Sequence, residues 1–75
     1  MHLIINGEPR DLPLEATPSA APAPVTIESL LTHLNLTALP CAVELNKKLI
    51  RKSAHAATPL APNDRLEIVS LVGGG

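Results

Sequence analysis

The 75-residue chain contains no phenylalanine, tyrosine or tryptophan. Its core must therefore consist of leucine, isoleucine, valine and alanine, and it offers no aromatic platform on which nucleic-acid bases could stack. Charge is also scarce, because six basic and seven acidic residues give a formal net charge of −1. Such a balance provides no general attraction for phosphate or anionic lipid. These absences argue against binding to nucleic acid or membranes and favour protein partners.

Cysteine, histidine and long apolar runs are equally sparse. The single cysteine, Cys41, excludes an internal disulfide and fits a reducing cytoplasm; we interpret it as a small buried residue. His2, His33 and His55 are too dispersed to suggest a metal site, so we read them as half-exposed structural side chains and assign no metal. No apolar run approaches the ~20 residues of a membrane span, and no export signal opens the chain. A domain this small buries only ~60% of its unfolded surface, so a complete enzyme is not expected.

The first third of the chain predicts a β-hairpin followed by a loop. Residues 2–6 read as a strand, and Asn6-Gly7 is a strong signal for a hairpin turn. We expect its partner strand over residues 10–14. Residues 15–25 are rich in proline and alanine, a composition that favours extended, unpacked chain, and are predicted to form a surface loop.

A helix and three further strands are predicted after this loop. Thr26 is a suitable N-cap, and an apolar face at helical spacing follows it, ending near Leu36. That face comprises Ile27, Leu30, Leu31 and Leu34. Strands are expected over 41–45, 48–51 and 66–71, with a turn at Asn46-Lys47 and an irregular or single-turn segment through Thr58. The pattern predicts one α+β domain over residues 1–75: a β-grasp, with a mixed sheet of four to five strands and one helix packed on one face.

Strand alternation sorts the apolar residues of the outer strands onto two faces. Leu3, Ile5, Leu66 and Ile68 are predicted to point inward against the helix. The opposite face then carries Ile4, Val69 and Leu71, which we predict to form a partner-binding patch. Scattered surface residues, or residues lying under the loop, are the alternative interpretation. Most of the positive charge falls within one hairpin, where it forms either a solvated surface or a contact with an acidic partner. These basic residues are Lys47, Lys48, Arg51 and Lys52.

The sequence ends on three glycines directly behind the last predicted strand. We expect residues 72–75 to form a flexible tail, because glycine has no β-carbon and adopts many backbone conformations. Val72, Gly73 and Gly74 could thread a narrow channel in a partner. The group that such a tail would deliver is the α-carboxylate of Gly75. An inert, frayed terminus is the plain alternative.

Several segments, taken in their order along a chain of this length, resemble the sulfur-carrier proteins of the ubiquitin-like superfamily, most closely the ThiS-type carriers of thiamin biosynthesis. The matching segments are Ile5-Asn6-Gly7-Glu8, Thr26-Ile27-Glu28-Ser29-Leu30-Leu31, Val43-Glu44-Leu45-Asn46, Asn63-Asp64-Arg65-Leu66-Glu67-Ile68-Val69 and Val72-Gly73-Gly74-Gly75. The chain departs from the family pattern in its longer proline/alanine loop, in Asn63 where glycine is usual, and in Asn46-Lys47 where Asn-Gly is common. Asparagine tolerates left-handed backbone angles, so the turn at Asn63 is expected to form.

The resemblance implies a protein co-substrate with no catalytic site and no bound cofactor. It implies that a ThiF-type adenylating enzyme uses ATP to activate Gly75. Sulfur from a donor such as a cysteine desulfurase persulfide then yields a thiocarboxylate, which a thiazole synthase consumes. A free carrier of this kind is expected to be a cytoplasmic monomer. Three alternatives stay open: a carrier for molybdopterin or another metabolite, a ubiquitin-like protein modifier, and a plain binding module.

Overall fold

The structure, a computed structural model, describes residues 1–14, 24–37 and 40–71. In chain order these residues form β1 (His2–Ile5), β2 (Glu8–Asp11), α1 (Ile27–His33), β3 (Cys41–Leu45), β4 (Lys48–Ile50), a 3-10 helix (Lys52–Ala57) and β5 (Arg65–Ser70). The sheet order is β2-β1-β5-β3-β4, in which β1 and β5 are parallel and the other neighbours antiparallel. This mixed five-stranded sheet with one α-helix confirms the predicted α+β, β-grasp architecture. The central strand is β5.

The helix begins as its sequence predicts. The Ser29 amide donates to the Thr26 hydroxyl at 3.2 Å, and the Thr26 amide donates to the Ser29 hydroxyl at 3.2 Å. This reciprocal capping box satisfies amides that the first helical turn leaves without partners. The predicted apolar face is confirmed, with three of its residues buried and Leu34 half-buried against the core.

The helix ends at His33, three residues before the predicted end at Leu36. Asn35 adopts a left-handed conformation, with φ of 59°. The Asn35 amide then donates to the Thr32 carbonyl at 3.1 Å, and the Leu36 amide donates to the Leu31 carbonyl at 2.8 Å. These two bonds form a Schellman motif, with asparagine in the position that glycine usually occupies. The motif therefore ends the helix well before Pro40, the proline on which the predicted helix end was based.

Two other predicted boundaries are corrected by the structure. The turn at Asn6-Gly7 contains only two residues, so Glu8 pairs directly with Ile5 and β2 begins there, not at residue 10. Val25, assigned to the surface loop, is 5% exposed and belongs to the core. Its carbonyl accepts a hydrogen bond from the Leu60 amide at 2.7 Å, which ties this position to the body of the domain. Pro24 is exposed, as a surface loop predicts, and residues 15–23 of the predicted loop lie outside the described residues.

The core lies between the sheet and α1. Among the described residues, ten buried side chains form it: Leu3, Ile5, Leu12, Val25, Ile27, Leu30, Leu31, Val43, Leu60 and Leu66. The inward orientation predicted for Leu3, Ile5 and Leu66 is confirmed by their burial, and Ile68 is partly buried against the same cluster. The core is aliphatic throughout, as the absence of aromatic residues requires.

Besides Asn35 at the helix end, the described residues hold asparagine or lysine in the left-handed region at three turns, which contain Asn6, Asn46-Lys47 and Asn63. Asn63 has φ of 71°, and its amide donates to the His2 carbonyl at 2.6 Å, which confirms that asparagine replaces glycine in this turn. Between β3 and β4, Asn46 and Lys47 have φ of 50° and 71°. Lysine gains nothing from this conformation, because its side chain cannot make the short local hydrogen bonds open to asparagine.

Replacing Lys47 with glycine should therefore stabilise the fold. We expect Lys47→Gly to raise the free energy of unfolding by about 0.5–1 kcal/mol. Glycine removes the strain of a left-handed lysine, and part of this gain is offset by the larger backbone entropy that glycine loses on folding. Urea denaturation of both proteins measures the difference. Lys48→Gly is the matched control, since Lys48 lies in β4 and glycine should destabilise it there. A lower stability of Lys47→Gly would contradict the strain assigned to this turn.

Candidate functional site

The last described strand approaches the predicted tail from the middle of the sheet. β5 lies between β1 and β3, and beyond its end the Leu71 amide donates to the Pro40 carbonyl at 2.7 Å. The chain is thus held by hydrogen bonds up to Leu71. Val72, Gly73, Gly74 and Gly75 lie outside the described residues, so the flexibility and the roles predicted for them stay predictions.

Asn6 holds β5 on the side of β1. Its backbone amide donates to the Leu66 carbonyl at 2.8 Å. Its side-chain Oδ1 accepts from the Ile68 amide at 2.8 Å, and its Nδ2 donates to the Ile68 carbonyl at 3.2 Å. Sequence reasoning identified Asn6 only as a turn residue. No local pattern signals a contact between residues 62 positions apart.

The sheet face opposite α1 carries exposed apolar residues. Leu66 and Ile68 point toward the core, so Glu67 and Val69 point to the open side. Cross-strand partners share a face, which places Ala42 beside Val69, and Glu44 between Glu67 and Leu49. Leu49, Val69 and Leu71 are 69%, 55% and 61% exposed. We define the open-face patch as these three residues with Ala42, Glu44 and Glu67.

The large apolar residues of the open-face patch differ from the predicted ones at two positions. Ile4 is half-buried and pairs with Arg65, four residues before Val69 on β5, or about 13 Å away along a strand. The structure therefore brings Val69 and Leu71 together but leaves Ile4 at the other end of the strand. Leu49 was missed. The two-residue turn at Asn46-Lys47 was the available signal, because it sets Leu49 opposite the outward-facing Glu44.

Charges on and near the patch are arranged unevenly. Glu44 and Glu67 are direct cross-strand partners, and like charges in that relation repel each other. The patch therefore has an acidic centre between apolar residues. The four basic residues of the neighbouring segment are all exposed, and no ion pair to them occurs within the described ranges. Both interpretations of that basic cluster stay open.

Cys41 and His55 differ from their predicted environments. Cys41 is half-exposed and not buried, because α1 ends at His33 and leaves this end of the sheet partly uncovered. It lines a cavity of about 240 Å³ together with Leu31 and His55. His55 is 5% exposed and not half-exposed, and its Nε2 donates to the Ile50 carbonyl at 3.0 Å. The hydrogen bond to a backbone carbonyl explains how the ring is accommodated inside the fold.

The other histidines lie apart from His55. His2 is half-buried, with Nδ1 at 2.8 Å from Oδ1 of Asp11, and His33 is exposed. Across residues 1–14, 24–37 and 40–71, no group of three or more histidine, cysteine, aspartate or glutamate side chains could hold a metal ion. The same parts of the chain contain no helix long and apolar enough to cross a membrane.

Comparison with known proteins gives a consistent result. The ThiS family model matches residues 3–75. The crystal structure of a thiamine biosynthesis protein (ThiS) from Geobacter metallireducens superposes with a TM-score of 0.73 at 28% identity, covering 100% of both chains. The solution structure of a thiamine biosynthesis protein from the same organism gives a TM-score of 0.76 at 28% identity, covering 100% of this chain and 88% of that one.

Sequence relatives fall into two kinds. A thiazole synthase of Paramagnetospirillum magneticum is 37% identical over 75 residues, which is all of this chain but 20% of that protein. An uncharacterized protein, ycf40, of Pyropia yezoensis is 34% identical over 71 residues, 95% of this chain and 87% of its own length. The chain thus spans about one fifth of the thiazole synthase it matches and most of ycf40. The family match over nearly the whole sequence and the shared fold lead to one conclusion: the chain belongs to the ThiS family.

Proposed function

We propose that this protein is a sulfur carrier of thiamin biosynthesis, which receives sulfur on the Gly75 carboxylate and passes it to a thiazole synthase. The observation that carries the proposal is the family match, which extends from residue 3 to Gly75. The structure adds a central strand that leads to the glycines and an exposed apolar surface beside it. The protein acts as a co-substrate, and its partners supply catalysis.

The proposed chemistry follows from the properties of a terminal carboxylate. Its pKa of about 3.3–3.7 makes it an anion at neutral pH, and nucleophiles do not attack such a group. Attack of the carboxylate oxygen on the α-phosphorus of ATP forms an acyl adenylate and releases pyrophosphate. A persulfide sulfur then attacks the acyl carbon, and AMP departs with the bridging oxygen. A thiol reductant cleaves the resulting acyl disulfide and leaves a thiocarboxylate on Gly75.

The glycines suit this cycle for two reasons. They lack side chains, so the backbone of a partner can approach Gly73 and Gly74 closely. Ordering each residue in a channel also costs about 1–2 kcal/mol of backbone entropy, which limits the affinity of the complex. A carrier that visits an adenylating enzyme, a sulfur donor and a synthase must dissociate from each. Specific binding energy is therefore expected from the folded body.

The relatives support a thiazole synthase as the consumer of the sulfur. In Paramagnetospirillum magneticum the similar segment is part of a protein named thiazole synthase. Covalent joining of a carrier segment to a synthase raises their effective concentration, which is useful only if the two act together. For this chain we propose the same pairing, with a ThiF-type adenylating enzyme and a persulfide donor upstream. We expect the reaction in the cytoplasm, where thiol reductants are available.

Adenylation is tested by exchange of labelled pyrophosphate into ATP. The wild-type chain and its candidate adenylating enzyme should catalyse this exchange only when both are present. A ubiquitin-like modifier would also support exchange, but it would afterwards appear in cell extract as higher-mass conjugates on lysines. Exchange without such conjugates supports the carrier. An absence of exchange with the adenylating enzyme of the same organism's thiamin pathway would count against the proposal.

The open-face patch supplies a prediction about binding. Val69→Asp should raise the KM for the carrier in pyrophosphate exchange about tenfold or more, because it places a third carboxylate beside Glu67 and removes an exposed apolar contact. The kcat at saturation should change little, since Val69 does not carry the reacting group. Ala57→Asp is the matched control, adding the same charge at an exposed position on the 3-10 helix. Equal KM values for the two variants would remove the open-face patch from the docking surface.

A further inference from the structure

The pairing of β5 with β1 is short. Only two residue pairs are in register, Ile4 with Arg65 and Ile5 with Leu66. At Asn6 the backbone turns away from β5, with φ of 52°, to enter the hairpin with β2. The side chain of Asn6 nevertheless extends the hydrogen-bond ladder by one more step. Its Oδ1 accepts from the Ile68 backbone amide, and its Nδ2 donates to the Ile68 backbone carbonyl.

This side chain takes the place of a strand residue. The primary amide of an asparagine side chain carries an acceptor oxygen and a donor NH2 group. A neighbouring strand in a parallel ladder presents the same two kinds of group, a carbonyl oxygen and an N–H. On the side of β1 the Asn6 side chain bonds to β5 two residues before the strand ends at Ser70. Only six residues lie between Ile68 and Gly75. The direction of β5 at Ile68 therefore sets the direction of the last described residues, through Ser70 to Leu71, from which the tail begins.

We propose that Asn6 is a positioning residue for the activation of Gly75: its side-chain amide fixes Ile68 and thereby the line along which the chain leaves the sheet. Its effect on the reaction rests on the proposed function. Its effect on β5 does not. Asn6 does not touch the reacting atoms, and it lies off the open-face patch. Its loss should therefore affect the presentation of the carboxylate and not the docking of the body.

Asn46 provides an internal control. It opens the other two-residue turn with φ of 50°, and it also bonds to β5. Its backbone amide donates to the Arg65 carbonyl at 2.7 Å, and its Oδ1 accepts from the Arg65 amide at 3.0 Å. A third bond, from Nδ2 to Oδ1 of Asp64 at 3.2 Å, gives Asn46 as many hydrogen bonds as Asn6, but at the beginning of the strand. A general loss of stability should be shared by variants of both residues, whereas a positioning effect should be confined to Asn6.

The test compares Asn6→Gly with Asn46→Gly, because glycine keeps the left-handed turn and removes only the side chain. Hydrogen exchange is the first readout. We expect Asn6→Gly to accelerate exchange of the Ile68 amide about tenfold, in line with the loss of its acceptor, while Asn46→Gly accelerates that of Arg65. In pyrophosphate exchange, Asn6→Gly should lower kcat about fivefold to tenfold and leave KM within about twofold, while Asn46→Gly changes neither.

A conservative variant tests the mechanism further. Asn6→Asp keeps an oxygen that accepts from the Ile68 amide but replaces the donor with an oxygen facing the Ile68 carbonyl. It should therefore fall between wild type and Asn6→Gly in both readouts. Unchanged exchange at Ile68, or equal losses of kcat in the two glycine variants, would overturn the proposal. If the wild-type chain is not adenylated at all, the proposed function fails, and amide exchange alone still decides whether Asn6 holds β5.

Discussion

Removal of Gly75 is expected to abolish sulfur transfer and to leave the fold unchanged. Without this residue the terminal carboxylate moves back by about 3.3–3.6 Å along the chain. Misplacing a reacting group by ~1 Å can cost about a hundredfold in rate, so we expect a loss of at least ~100-fold in the rate of acyl-adenylate formation. The new terminus, Gly74, carries the same functional group, which makes position the only variable.

The fold should survive this deletion because, in the part of the chain that the structure describes, the helices, the strands and the ten core residues all precede Leu71. Urea denaturation should give free energies of unfolding within about 0.5 kcal/mol for the truncated and full chains. The rate is measured as AMP release in the presence of sulfide. Transfer at the wild-type rate by the truncated chain would refute the assignment of Gly75.

Truncation of Leu30 should have the largest effect on stability. Leu30 is fully buried in α1, where it packs within the aliphatic core. Leu→Ala substitutions at such positions cost about 2–5 kcal/mol, from lost burial and the cavity left behind. At roughly 0.05–0.15 kcal/mol per residue, a domain of this size has a total stability of about 4–11 kcal/mol. Leu30→Ala is therefore expected to remove a large share of it, and the melting temperature should fall by ~10 °C or more.

Thermal unfolding followed by circular dichroism measures this effect. Leu49→Ala is the matched control, because it deletes the same atoms from a side chain that is 69% exposed. We expect that variant to unfold within about 0.5 kcal/mol of wild type. Similar destabilisation by both substitutions would mean that the core is not organised around α1 as the structure shows.

Features set by local patterns were predictable from the sequence. Thr26 with the apolar residues Ile27, Leu30 and Leu31 predicts the start and the buried face of α1, since both depend on residues within two helical turns. The turn at Asn6-Gly7 predicts the first hairpin. Together with the strand order, these elements leave few closures other than a β-grasp.

Features that depend on long-range contacts were not predictable. The helix end is local, since the left-handed Asn35 sets it, but it was not predicted either, because asparagine does not adopt this conformation at every position. The two side-chain bonds from Asn6 to Ile68 require β1 and β5 to be side by side already. The exposure of Cys41 follows from where α1 ends, and the burial of His55 follows from how the 3-10 helix packs. The residues adjacent to them in the sequence indicate neither.

The most direct measurement is the intact mass of the wild-type chain after incubation, in the presence of a thiol reductant, with ATP, its adenylating enzyme and a persulfide donor. Replacement of one oxygen atom by sulfur, located on Gly75 by fragmentation, is the predicted result. It should require all three additions and disappear on treatment with a thiazole synthase and its other substrates. An unchanged mass under complete conditions, or sulfur located on Cys41 in place of Gly75, would contradict a carrier that works through its terminal carboxylate.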